Sequence, residues 1–144
     1  MQILVGLVGA TLLLIPGIAN SQSPLLISPG DVHWVDSRAR PGTKVAVLEG
    51  DPARQGIFVT LAKFPPNYVA EPHFHGATER GVVISGSLYM GVGAVVDRAK
   101  AKHLTVGSVY VLPSLMPHYF YTTEEVVIHV ISSGPFQTTP AKAP

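Results

Sequence analysis

Beyond residue 43, every apolar stretch of this chain is soon cut by a turn. Glu49-Gly50-Asp51-Pro52, Phe64-Pro65-Pro66-Asn67, Ser85-Gly86-Ser87 and Leu112-Pro113-Ser114 are turn formers for specific backbone reasons. They separate runs rich in Val, Ile, Tyr, Phe and Thr at 44–48, 57–64, 81–85, 87–96, 108–112, 118–121 and 126–132. With 14 Gly and 13 Pro in 144 residues, long helices have little room to form. Short strands at roughly 8–12-residue spacing predict an all-β sandwich or barrel, not a βαβ fold. The basic stretch 98–102 reads as a solvated loop, and no repeat of solenoid length is visible.

The first part of the chain is different. Residues 3–15 are an unbroken run of apolar and small side chains, and no charged side chain precedes Asp31. Thirteen residues at about 1.5 Å rise fall short of a roughly 30 Å hydrocarbon core. Pro16 ends any helix, and Gly17-Ile18-Ala19 offers the small residues a signal peptidase reads. The pattern predicts a cleavable signal peptide over 1–19, with a buried core helix or a retained anchor as the alternative. Export to the periplasm or secretion follows, with no stable membrane span after cleavage. The remaining organisation reads as an arm and edge strand over 20–43, a β-barrel over 44–136 and a flexible tail over 137–144.

The chain has no Cys, so disulfides, thiolate metal sites and Cys nucleophiles are excluded. A net charge of +1 is too balanced for an electrostatic nucleic-acid binder. Six His remain as the chemical resource, at 33, 73, 75, 103, 118 and 129. On a strand, His73 and His75 share a face while Phe74 points away, so both imidazoles aim at one point. After the turn-compatible Gly76-Ala77-Thr78, Glu79 brings a carboxylate from the neighbouring strand. Two imidazoles and a carboxylate on one face leave open positions on a divalent metal. His118 follows a loop stiffened by Pro113 and Pro117, and a stiff loop holds a ligand accurately.

These two segments resemble the two motifs of the cupin family. The first family motif is Gly, five residues, His-x-His, three residues, Glu, six residues, Gly; this chain has His73, His75, Glu79 and Gly86, with Asn67 for the opening Gly. The second is Gly, five residues, Pro-x-Gly, two residues, His, three residues, Asn; Gly107, Pro113 and His118 match, with Leu115 and Thr122 replacing Gly and Asn. The similarity runs from about Val45 to Phe136 and is nearest to small single-domain bacterial cupins. It implies a double-stranded β-helix, or jelly-roll barrel, holding one divalent transition metal per chain on His73, His75, Glu79 and His118. Fe, Mn, Ni, Co and Zn all suit that donor set. Metal affinity is expected to fall below about pH 6.5, where free imidazole takes up a proton.

Glu71 shares sequence parity with His73 and His75 and is a candidate catalytic base or substitute ligand, the rival being a mouth carboxylate paired to Arg80 or Lys63. Val82, Ile84, Met90, Leu112, Met116 and Phe120 are expected to wall the pocket, and His129 to line it or sit satisfied in the core. Any one of Tyr68, Tyr89, Tyr110, Tyr119 and Tyr121 could bring a phenol to the metal, whereas His33 and His103 look peripheral. The motif strands offer no conspicuous Arg or Lys, which disfavours a sugar phosphate. Two functions remain: a metalloenzyme on a small organic substrate, of dioxygenase, isomerase or lyase type, or a non-catalytic module that binds or senses a small ligand. A homodimer is expected through the edge near Val32–Val35, with Trp34 either plugging a barrel end or joining that surface.

Overall fold

The computed structural model describes residues 23–143. The expected signal segment 1–19 and its cleavage point lie outside the described residues. After a short 3-10 turn at Pro29–Asp31, eleven strands follow in chain order. They are β1 (Val35–Asp36), β2 (Lys44–Glu49), β3 (Gly56–Phe64), β4 (Val69–Phe74), β5 (Glu79–Ser85) and β6 (Leu88–Val92), then β7 (Lys102–Leu104), β8 (Val109–Leu112), β9 (His118–Thr122), β10 (Val126–Gly134) and β11 (Thr139–Pro140). The all-β expectation holds. Two antiparallel sheets form, in the orders β1-β2-β3-β10-β5-β8 and β11-β4-β9-β6-β7.

Alternation along the strands places the core between the sheets. On β10, Ile128, Val130 and Ser132 are buried, while Ile131 is exposed. Its partner β3 pairs residue for residue from Val126↔Phe64 to Gly134↔Gly56 and turns Phe58, Thr60 and Phe64 inward. Phe64, Tyr68 and Phe120 close one end of the core, with centroids 5.2 Å (Phe64–Tyr68) and 4.8 Å (Phe64–Phe120) apart. Every residue of β9 is buried because both its faces are covered. On the outer face, the Tyr119 hydroxyl donates to the Asp97 carbonyl at 2.6 Å and accepts from the Asp97 amide at 3.0 Å. The stretch 98–100 is the exposed turn expected, and from it Arg98 lies over the Tyr121 ring at 4.4 Å.

Two turn positions account for two of the three departures from the cupin motifs. Asn67 and Leu115, which stand where glycine is expected, have φ of 60° and 63°. The backbone therefore keeps the left-handed conformation, which Asn tolerates and Leu adopts at a cost. Gly86, the retained motif glycine, has φ 67°, and a Cβ there would sit 2.1 Å from the Glu125 carbonyl oxygen. Residues 137–143, expected as a soft tail, instead pair through β11 with β4, and the Ala141 amide donates to the Pro72 carbonyl at 2.8 Å.

Candidate metal centre

His73 and His118 are direct cross-strand partners on β4 and β9, and His75 lies one residue past the end of β4. The three imidazoles are buried, and one nitrogen from each lies within 4.8 Å of the others. Ring centroids are 4.3 Å apart for His73–His118, 5.0 Å for His73–His75 and 5.3 Å for His75–His118. Each Nδ1 faces a backbone carbonyl: Glu71 at 2.6 Å, Gln137 at 2.8 Å and Met116 at 3.0 Å. A carbonyl only accepts, so Nδ1 carries the proton and the Nε2 lone pair is left for a cation. The Nε2 of His75 is fully buried and has no hydrogen-bond partner among the described residues. That orphaned atom, within a convergent set of nitrogens, fits a metal ligand.

Glu79 opens β5, so its carboxylate comes from the opposite sheet rather than from a neighbouring strand as expected. Its Oε2 lies 3.2 Å from His75 Nε2 but without hydrogen-bond geometry, which is why that nitrogen remains unpartnered. Tyr110, on β8, donates its hydroxyl to Glu79 Oε1 at 2.8 Å. Of the five tyrosines, Tyr110 is the one that reaches a candidate ligand. It fits because Gly81 lies beneath it: a Cβ on Gly81 would be 2.1 Å from the Tyr110 ring.

The protonation states suit cation binding. His73 is held neutral, its pKa lowered to about 3, chiefly by burial and next by the Arg40 cation. Burial likewise lowers His118. For Glu79, burial works against ionisation, but the neighbouring His75 and the hydrogen bond from Tyr110 outweigh it and leave the carboxyl below its usual value. Burial, and then the Glu79 charge, push the Tyr110 phenol well above its usual value, so it is a donor at neutral pH.

A cavity of about 620 Å³ opens beside the centre, reaching His73, Glu79 and His118. Met90 and Phe120 line it as expected, together with Phe58, Phe64, Ile128 and Val130. The other expected lining residues lie elsewhere. Leu112 belongs to the apolar core, and Met116 contributes its carbonyl to His118. Val82 and Ile84 fall out of phase with Glu79, Gly81 and Val83, which face inward, and so take the outer face of β5. His129 pairs with Val82 and Leu61 on that same outer face. Glu71 is exposed and does not line the cavity. A bulge between Ala70 and His73 puts one extra residue in β4, which breaks the parity linking Glu71 to His73. Phe74 does not line the cavity either, and His103 is stacked on Tyr89 outside it.

Sequence reasoning missed Arg40. It leaves the turn before β2, lines the cavity and places Nη2 at 3.0 Å from His73 Nε2. No local spacing marked it, because its role comes from how the arm folds over the barrel mouth.

The family described as "Domain of unknown function (DUF4437)" matches residues 19–139. The chain belongs to that family. Among curated relatives, this DUF4437 chain is 33% identical over 79 residues to "Germin-like protein subfamily T member 2" of Arabidopsis thaliana, an alignment covering 54% of this chain and 36% of that protein. It is 34% identical over 87 residues to "H2HPP isomerase" of Bacillus subtilis, covering 57% and 35%. The chain thus spans about a third of the length of these relatives. Among solved structures, the polyketide cyclase RemF from Streptomyces resistomycificus superposes with a TM-score of 0.68 at 19% identity, covering 85% of this chain and 88% of that one. An RmlC-like cupin from Shewanella frigidimarina does so at 0.59 and 18%, covering 78% and 92%. At these identities the likeness establishes the cupin fold alone.

Proposed function

We propose that this chain is an exported metalloenzyme that binds one divalent transition metal on His73, His75, His118 and Glu79 and acts on a small organic substrate. The observation that carries the reading is the fixed tautomer of three buried histidines, with each Nδ1 engaged by a carbonyl and the Nε2 atoms convergent. A bound metal would supply Lewis acidity for a substrate carbonyl or carboxylate, the common element of isomerase, lyase and oxygenase chemistry.

The chain's own residues define the rest. Tyr110 fixes one Glu79 oxygen and, being wholly engaged and buried, is not a free acid or base for substrate. Among the described residues, Glu79 is the sole carboxylate lining the cavity, so no second carboxylate competes for a proton there. The aromatic and aliphatic part of the wall suits a substrate with an apolar or aromatic body. The polyketide cyclase and the isomerase among the similar proteins support turnover over simple binding. Export rests on residues 1–19 alone, and a homodimer on the exposed Val35 edge of β1. No helix among the described residues is long and apolar enough to cross a membrane.

Elemental analysis of protein purified without added metal tests the centre. About one transition metal per chain is expected in the wild type, with loss in both His73→Ala and Glu79→Ala. Metal-free wild type, or variants that keep their metal, would overturn the reading. The metal found then selects substrate panels: oxygen uptake for iron, and isomer or elimination products for the others.

A further inference from the structure

Resting on the metal reading above, we propose that the substrate carries a carboxylate and that Arg40 is the residue that binds it. Arg40 is held before any ligand arrives. Its carbonyl accepts from both the Thr43 amide, at 3.1 Å, and the Thr43 hydroxyl, at 2.7 Å, and its own amide donates to Ser37 Oγ at 3.2 Å. Thr43 is buried, so the turn that carries the guanidinium is anchored to the barrel. Among the described residues Arg40 has no carboxylate partner; every other charge pair is made by different cations. Its Nη2 is instead aimed at His73 Nε2 at 3.0 Å and Thr138 Oγ1 at 3.3 Å.

Those contacts assign a task. A nitrogen lone pair serves one partner, so a metal ligated by His73 takes the place of the Arg40 N–H and frees a guanidinium donor beside the centre. Charge balance points the same way. The charged side chains lining the cavity are Arg40, Lys44 and Glu79, and Lys44 is already paired with Asp36 at 2.8 Å. Glu79 balances Arg40 alone; a divalent cation then leaves two uncompensated positive charges in the cavity. An anionic ligand that touches both metal and Arg40 offsets them. A planar carboxylate matches the planar guanidinium, and Phe58, Phe64, Phe120 and Ile128 take the rest of the molecule. The motif strands gave no sign of this, because the cation enters from the arm.

Calorimetry on zinc-loaded protein tests the assignment with 3-phenylpropionate and its uncharged amide as probes, and zinc content is measured in every sample. Wild type is expected to bind the acid at least about tenfold more tightly than the amide, as one charge-assisted hydrogen bond implies. Arg40→Gln should weaken the acid about tenfold to a hundredfold, leave the amide within about twofold and keep about one zinc per chain. Arg40→Lys should retain part of the preference, and this variant and the acid–amide comparison in wild type keep the test intact where R40Q folds poorly. Equal affinity for acid and amide, no binding of the acid, or undiminished acid binding by R40Q would overturn the role of Arg40 while leaving the metal centre standing. Failure of wild type to take up zinc would overturn the metal reading, and this assignment with it.

Discussion

Replacing Tyr110 with Phe removes one oxygen from the centre and leaves its ring in place over Gly81. That oxygen donates to Glu79 Oε1 at 2.8 Å from a residue only 8% exposed, so no water replaces it readily. A hydrogen bond to a charged group contributes about 1.5–3 kcal/mol, and losing this one should destabilise the metal-free fold by about that much. The same interaction is one cause of the lowered Glu79 pKa, and its removal should raise that value. A carboxylate freed to rotate and more easily protonated is a poorer ligand, and loss of such a supporting partner typically lowers metal affinity about 10- to 100-fold. Competition between the protein and a chromophoric chelator for zinc at pH 7 measures the change, and urea unfolding of the metal-free protein measures the stability. Zinc affinity within twofold of wild type, together with an unchanged urea midpoint, would refute the claim that Tyr110 orients Glu79.

Gly81→Ala tests the same support from below: its Cβ would meet the Tyr110 ring at 2.1 Å, so the ring must shift and zinc affinity should fall even though Tyr110 is intact. Leu115→Gly should stabilise the protein by about 1 kcal/mol, because the φ of 63° costs Leu about 1–2 kcal/mol and the side chain, 63% exposed, loses little burial; a lowered urea midpoint would contradict this. The metal-free protein should lose stability as pH falls below 6.5. Burial lowers the folded pKa of both His73 and His118, so below pH 6.5 the unfolded chain binds more protons and stability falls by up to about 1.4 kcal/mol per pH unit for each. Glu79 adds loss in the same direction as pH falls from 4.5 through its lowered folded value. A urea midpoint constant from pH 7 to 4.5 would refute this.

The convergence of the three histidines was legible because the motif spacing encodes two local facts: alternation along β4 and the return of β9 beside it. His73 and His118 consequently meet as cross-strand neighbours. Reading a shared face from parity failed at Glu71, because it assumed an unbroken strand and a bulge inserts a residue there. On β5 the phase set by Glu79 was in the sequence, yet Val82 and Ile84 were chosen for their apolar character and lie on the outer face. Arg40, Tyr110 and the Gln137 carbonyl could not be read from spacing. Each acts 31 to 62 residues away in sequence from the group it touches, through sheet pairing and the path of the two terminal segments.

The proposed donors straddle the barrel: three imidazoles belong to one layer and the carboxylate to the other. A cation seated among them is therefore a rivet between the layers, and prising them apart means giving up the ion. Resistance to unfolding would then be a function of free metal in the surroundings, rising by about 2.7 kcal/mol when that concentration is a hundred times the dissociation constant. In a compartment where metal supply fluctuates, how long the folded chain lasts would follow the supply.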